Sequence, residues 1–270
     1  MAHARKRFGQ HFLHDPAVIG RIVGAIAPRP GDHLVEIGPG RGALTRRLLA
    51  SAELATLDAV EIDRDLAAQL AVELSADPRF HLHRLDALSL DVGALAALRG
   101  GKLRIAGNLP YNVSTPLLFH LLASLTSVED MLFMLQREVV ARMAAQPGTR
   151  DYGRLTVMLT PHVSVERLFD VGPGAFQPPP KVWSSVVRLR VLETPPFPLS
   201  AAYAEIVTAA FAQRRKTLRN ALRKQLSPAQ IEACGIDPRT RPEQLSAGAF
   251  NALASAFEER SPMPASSTMG

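Results

Sequence analysis

Val35-Glu36-Ile37-Gly38-Pro39-Gly40-Arg41-Gly42 joins an apolar run to a helical pattern through three glycines in five residues. Glycine lets a backbone come close to a ligand, and the first turn of the helix that follows offers N–H groups with no partner inside the helix. About twenty residues on, a second apolar run ends in Glu61-Ile62-Asp63, where a carboxylate can accept both hydroxyls of a ribose. An adenosine-containing cofactor is the direct inference, and two cofactors satisfy the loop. Gly38, Gly40 and Ala43 meet the dinucleotide pattern, while Gly38, Gly40 and Gly42 after Glu36 meet that for S-adenosylmethionine.

Around this turn the chain alternates short apolar runs with amphipathic ones. Strands are predicted at 33–38, 55–62, 80–85, 103–107, 131–135, 155–163 and 183–192, with helices such as 42–50, 63–74 and 115–125 between the first five. Asp15-Pro16 reads as an N-cap with proline in the first turn, opening a helix to about Ala27. Such alternation implies right-handed crossovers and a largely parallel α/β sheet. Glu193-Thr-Pro-Pro-Phe-Pro198 interrupts it. Beyond lie only helix signals, at 200–213, 215–226, 229–234 and 242–259. The expected organisation is a cofactor-binding domain over 1–192 with a basic N-terminal arm, a proline-rich linker at 193–199, a small all-helical domain over 200–260, and a disordered tail at 261–270.

With 270 residues and 47% hydrophobic content, the chain can bury a full core. One cysteine, Cys234, excludes an internal disulfide and a cysteine metal cluster. No run approaches the roughly 18 apolar residues of a membrane span, so a soluble, cytoplasmic protein is expected. His33 reads as structural, as do His81 and His83, which share a strand face without an evident third ligand, and no metal site is predicted.

The net charge is +6, and its placement points to a polyanion. No acid occurs from Ile206 to Ile231, where Arg214, Arg215, Lys216, Arg219, Arg223 and Lys224 fall. On one helix Arg215, Arg219 and Arg223 would form a ridge able to follow a phosphate backbone. A second cluster, Arg5-Lys6-Arg7, lies in the N-terminal arm.

The third and fourth predicted strands deliver Asp86 and then Asn108-Leu109-Pro110-Tyr111. Ligands of open α/β sheets bind beyond the carboxyl ends of the strands, so Gly38, Glu61, Asp86 and Asn108 should converge there. The Asn108 carboxamide oxygen and the Leu109 carbonyl can each accept one N–H of an exocyclic amine, and Tyr111 can stack on its base. Pro110 biases Leu109 away from helix, so its carbonyl can face a ligand. A dehydrogenase has no evident use for that cradle, whereas a methyltransferase acting on an amino group does.

Val35 to Gly42, Asn108 to Tyr111, Phe176-Gln-Pro-Pro-Pro-Lys-Val-Trp-Ser184 and the leader Arg7-Phe-Gly-Gln-His-Phe-Leu13 together closely resemble the KsgA (RsmA) family of small-subunit rRNA adenine dimethyltransferases. The likeness runs from about Arg5 to about Ala254. It implies a class I methyltransferase fold, a Rossmann-like sheet of seven strands with the seventh antiparallel, and S-adenosylmethionine as methyl donor. It also implies, as substrate, two adjacent adenines near the 3′ end of 16S rRNA in the 30S subunit or its precursor. A monomer is expected. Cofactor contacts would fall at His11, Leu13, Gly38, Glu61, Asp86 and Asn108, with His11 standing where relatives often carry asparagine. The target base must be flipped out. Tyr111 would form one wall of its slot and Phe176, in a loop flanked by Gly172, Gly174 and Pro178, the other. Erm-type enzymes share the cofactor loop and act on the large subunit. The long leader, the Phe176 loop and the basic tail favour the small-subunit reading over that one. A ribosome-assembly binding factor with secondary methylation is the other alternative, and the two roles are compatible.

Overall fold

A computed structural model of the chain describes residues 11–51, 54–111, 113–213 and 215–260. Its contacts divide into two compact units, one of the described residues up to Val140 with Ser164–Val191, the other of Ala141–Val163 with those from Leu192 onward. In chain order the strands are β1 (Phe12–Leu13), β2 (Asp32–Ile37), β3 (Leu54–Val60), β4 (Phe80–His83), β5 (Leu103–Asn108), β6 (Val128–Gln136), β7 (Val163–Val171), β8 (Phe176–Gln177) and β9 (Ser184–Val191). The helices are α1 (Pro16–Ile26), α2 (Ala43–Leu49), α3 (Arg64–Glu73), α4 (Val92–Arg99), α5 (Ser114–Leu122), α6 (Arg137–Met143), α7 (Arg154–Leu159), α8 (Tyr203–Ala212), α9 (Leu218–Ala221), α10 (Pro228–Ala233) and α11 (Ala247–Arg260).

Seven strands form one sheet in the order β4-β3-β2-β5-β6-β9-β7. The first five are parallel, and β9, the last in the chain, runs antiparallel to β6 with Phe133 opposite Val187. This is the expected class I topology. Parallel neighbours require crossovers, and helices on both faces bury the strands between them. Leu34, Val35, Leu57, Ile105 and Phe133 are accordingly at most 1% exposed. Local signals set the helix starts. The Asp15 carboxylate accepts the N–H groups of Ala17 and Val18 ahead of Pro16, and Asp63 caps α3 in the same way.

Two element assignments need correction. The stretch 155–163 is not a strand, since residues up to Leu159 belong to α7 and β7 begins at Val163. Val157 and Thr156 are buried there, Val157 beside Tyr203 in the core of the second unit. β7, at the edge of the sheet and carrying exposed Glu166 and Arg167, shows no apolar alternation to read. The domain boundary shifts for the same reason: residues 141–163, placed with the first domain by sequence, supply Tyr152 and Val157 to the second core. The Tyr152 hydroxyl donates to the Leu245 carbonyl at 2.6 Å, and that of Tyr203 to Val157 at 2.8 Å.

The basic segment is not one long helix. α9 spans only Leu218–Ala221, because the N–H groups of Leu218 and Arg219 bond the carbonyls of Thr240 and Pro238 instead of a preceding turn. Arg215 and Lys216 therefore sit in a turn before α9 and Arg223 in a turn after it, so the three-arginine ridge does not exist as predicted. Arg215, Lys216, Arg219 and Arg223 are nonetheless exposed, while Leu218, Leu222 and Leu226 face inward. Arg214, the Arg5-Lys6-Arg7 cluster and the 261–270 tail lie outside the described residues. Among those described, no helix is long and apolar enough to cross a membrane.

Candidate active site

The loop after β2 turns through Gly38, Gly40 and Gly42 at φ of 69°, 57° and 74°, a left-handed region that side chains rarely adopt. It is pinned by the Gly38 N–H to the Val60 carbonyl and by Gly42 to Pro39. Glu61, at the end of β3, reaches back to the loop. One carboxylate oxygen accepts the Gly40 N–H at 3.0 Å and the other the Asp63 N–H at 2.8 Å, which fixes its orientation. Burial pushes the Glu61 carboxyl above its ordinary value, against the pull of these N–H bonds. Beneath the same loop lies Glu36, 2% exposed, with one carboxylate oxygen that makes no hydrogen bond among the described residues. Burial, with the Glu61 charge nearby, pushes the Glu36 carboxyl up to about 7.

On the neighbouring strand Asn108 ends β5. Its carboxamide nitrogen donates to the His11 carbonyl at 3.1 Å, and among the described residues no group donates to its oxygen. The Leu109 N–H bonds the Met134 carbonyl, so the cradle is tied to β6. Tyr111 is held by a 3.1 Å hydrogen bond between its hydroxyl and that of Ser184, and burial pushes the phenol above its ordinary value. The His11 ring stands 5.8 Å from the Tyr111 ring, with its Nδ1 bonded to the Pro178 carbonyl. Phe12 lies over the glycine loop, so close that a Cβ on Gly40 would sit 3.2 Å from its ring.

One cavity gathers these groups. His11, Leu13, Gly38, Glu61, Asp86, Asn108, Leu109, Pro110 and Tyr111 all line it, as does Glu36. Asp86 accepts the Leu88 N–H with one oxygen, which orients its side chain. Glu36 entered the sequence reading only as part of a pattern. Its place inside the buried strand β2 was the available signal that it would be a desolvated acid. Phe176 is not brought to the cavity. Its ring is 3% exposed in the core with Leu13, Ile22 and Val186, and its backbone pairs with Leu13. An aromatic ring beside an apolar core gains more from burial than from a solvated slot, and flanking glycines do not report that balance.

Two of the histidines serve the fold. His33 bonds Thr56, and His83 bonds buried Asp58, which Arg99 also clamps. Among the described residues no group of three or more histidine, cysteine or acidic side chains is placed to hold a metal.

A family model described as ribosomal RNA adenine dimethylase matches residues 1–259. A ribosomal RNA small subunit methyltransferase A of Pseudomonas aeruginosa is 54% identical over 258 residues, covering 95% of each chain. One from Nitrosococcus oceani is 54% identical over 253 residues, covering 93% of this chain and 94% of its own. Among solved structures, a Plasmodium falciparum dimethyladenosine transferase shares the fold, with a TM-score of 0.78 at 23% identity over 93% of this chain and 98% of that one. The 23S rRNA methyltransferase ErmE aligns with a TM-score of 0.67 at 26% identity, over 92% and 99%. The glycine loop, the acid at the end of β3 and the amide-bearing turn after β5 thus sit in a chain that belongs to the ribosomal RNA adenine dimethylase family.

Proposed function

We propose that this cavity holds S-adenosylmethionine and presents it to N6 of two adjacent adenines near the 3′ end of 16S rRNA, in the small subunit or its precursor. The donor set fits that cofactor. The left-handed glycines leave room where a side chain would intrude, Glu61 is set for the ribose hydroxyls, Asp86 for the adenine amine, and the unbonded oxygen of Glu36 is a ready partner for positive charge. Bound, the cofactor supplies a methyl group already activated on a sulfonium.

The observation that carries the reading is the commitment of the Asn108 nitrogen to the His11 carbonyl, which leaves the carboxamide oxygen as an acceptor at the cavity. The lone pair of an adenine amine is delocalised into its ring and is a poor nucleophile. Asn108 Oδ1 and the Leu109 carbonyl accept its two N–H groups, the nitrogen pyramidalises, and the positive charge that develops there is stabilised. The proton passes to these acceptors or to solvent after transfer. For the second methylation one N–H remains and one acceptor goes unused. Tyr111 stacks on the flipped base, worth about 1–3 kcal/mol. Phe176 supports Leu13 from the core in this conformation.

The basic residues 5–7 and 214–223 meet phosphates, the unit built largely from 200–260 serves RNA binding, and the enzyme acts as a monomer in the cytoplasm, where its substrate is assembled. The test is radiolabelled methyl transfer to 30S particles from a strain lacking the modification, with modified nucleotides mapped. Dimethyladenosine at two adjacent 16S positions is expected. Free 23S rRNA is assayed in parallel: label there, with none in the 30S particles, would assign the chain an Erm-like activity instead.

A further inference from the structure

The chain has a single tryptophan, and it stands half exposed beside the proposed slot. Trp183 is 50% exposed and the preceding Val182 is 43% exposed. A lone half-exposed side chain is ordinary on a protein surface, so it is the placement of this ring that calls for an explanation. The ring is nonetheless held. Its six-membered edge rests over Gly172, where a Cβ would lie 3.6 Å away, and its carbonyl accepts the Arg137 N–H at 2.9 Å. The next residue, Ser184, is buried and hydrogen-bonds Tyr111. Five residues earlier, the Pro178 carbonyl takes the His11 ring nitrogen. The loop bearing Trp183 is thus tied at both ends to the walls of the cavity.

The charges around it favour a polyanion. Lys181 lies two residues before Trp183 in sequence and Arg137 bonds the Trp183 carbonyl through its backbone N–H, and both are exposed, while Asp170 is engaged by Arg167 and Ser185, with the Arg137 charge also acting on it. A fixed aromatic face flanked by cations is what an unpaired nucleotide seeks, because every base has a π-face and each carries a phosphate. We infer that Trp183 is a stacking platform for an unpaired nucleotide of the substrate RNA flanking the flipped adenine, with Lys181 and Arg137 meeting its phosphate. This rests on the RNA-methylating reading above. It makes Trp183 a substrate-positioning residue, separate from the cradle that accepts the amine.

The single tryptophan provides the test. Adding undermethylated small-subunit particles to the full-length chain should quench its fluorescence. Ultraviolet cross-linking of the complex, mapped by mass spectrometry, should give a nucleotide adduct at Trp183. Trp183→Ala should raise KM for particles about 5- to 150-fold with the Kd for S-adenosylmethionine unchanged, and Trp183→Phe should restore most of the loss. An unchanged KM in Trp183→Ala, in a preparation where the wild-type chain dimethylates normally, overturns the inference alone. A peptide adduct at Trp183 would assign the face to a ribosomal protein and likewise overturn it. A wild-type chain that labels no adenine would sink the functional reading, and this inference with it.

Discussion

At the residue scale the site depends on which atoms are already committed. Asn108 donates to the His11 carbonyl, so replacing it removes both the proposed acceptor for the amine and a tie to the leader. Asn108→Ala should abolish both methyl transfers, whereas Tyr111→Ala should mainly raise KM for RNA, and quantifying mono- and dimethyladenosine in treated particles separates them. Near-normal dimethylation by Asn108→Ala would refute the mechanism. Glu36 gives a second prediction. Its carboxyl titrates at about 7 in the folded chain against 4.5 ordinarily, so its contribution to stability is fully present below 4.5 and is lost as pH rises through 7. Glu36→Gln, which never ionises, should match the wild type near pH 4.5 and exceed it by up to about 3 kcal/mol above pH 7. Denaturant midpoints at pH 5 and pH 8 measure this, and a difference independent of pH would rule it out. Asn108 and Glu61 were legible because their neighbours in sequence define their chemistry. Phe176 was not, because its packing against Leu13 and Val186 is decided by residues far along the chain.

At the scale of elements, what could be read was what repeats locally. The buried parallel strands announce themselves as apolar runs, and five of the predicted strands overlap β2 to β6. The run from Leu155 to Leu159 is equally apolar but too short to distinguish strand from buried helix, and its contacts with the second core made it helical. The site itself hangs on how closely β2 and β5 approach at their carboxyl ends, where the glycine loop and the Asn108 turn both begin. A Cβ on Gly107 would lie 2.4 Å from the Ile37 carbonyl oxygen, a backbone atom that cannot swing aside. Gly107→Ala should therefore force the two strands apart, costing about 1–3 kcal/mol of stability and weakening S-adenosylmethionine binding. Thermal or denaturant unfolding with calorimetric titration of the cofactor tests both parts. A variant with unaltered midpoint and affinity would show that the close approach is not needed.

Across the whole molecule, the excess of positive charge is legible from composition, but its geometry is not. The acid-free stretch from 206 to 231 is plain in the sequence, yet the carbonyls of Thr240 and Pro238 break the expected helix and separate Arg215 from Arg219. What survives is a set of exposed cations, Arg215, Lys216, Arg219 and Arg223, carried by turns and one short helix. Cations of this kind position a phosphate backbone without reading bases, so the contribution proposed for this set is electrostatic and salt-dependent. Replacing Arg219 and Arg223 together with alanine should weaken binding to small-subunit particles and reduce the slope of log affinity against log salt by about 1 to 2. Both side chains are exposed, so folding should be little affected. The affinity for S-adenosylmethionine should not move, because neither residue lines the cavity that gathers Gly38, Glu61 and Asn108. Binding measured over a range of salt concentrations decides the point. An unchanged slope would mean that the positive charge of this segment serves solubility rather than RNA.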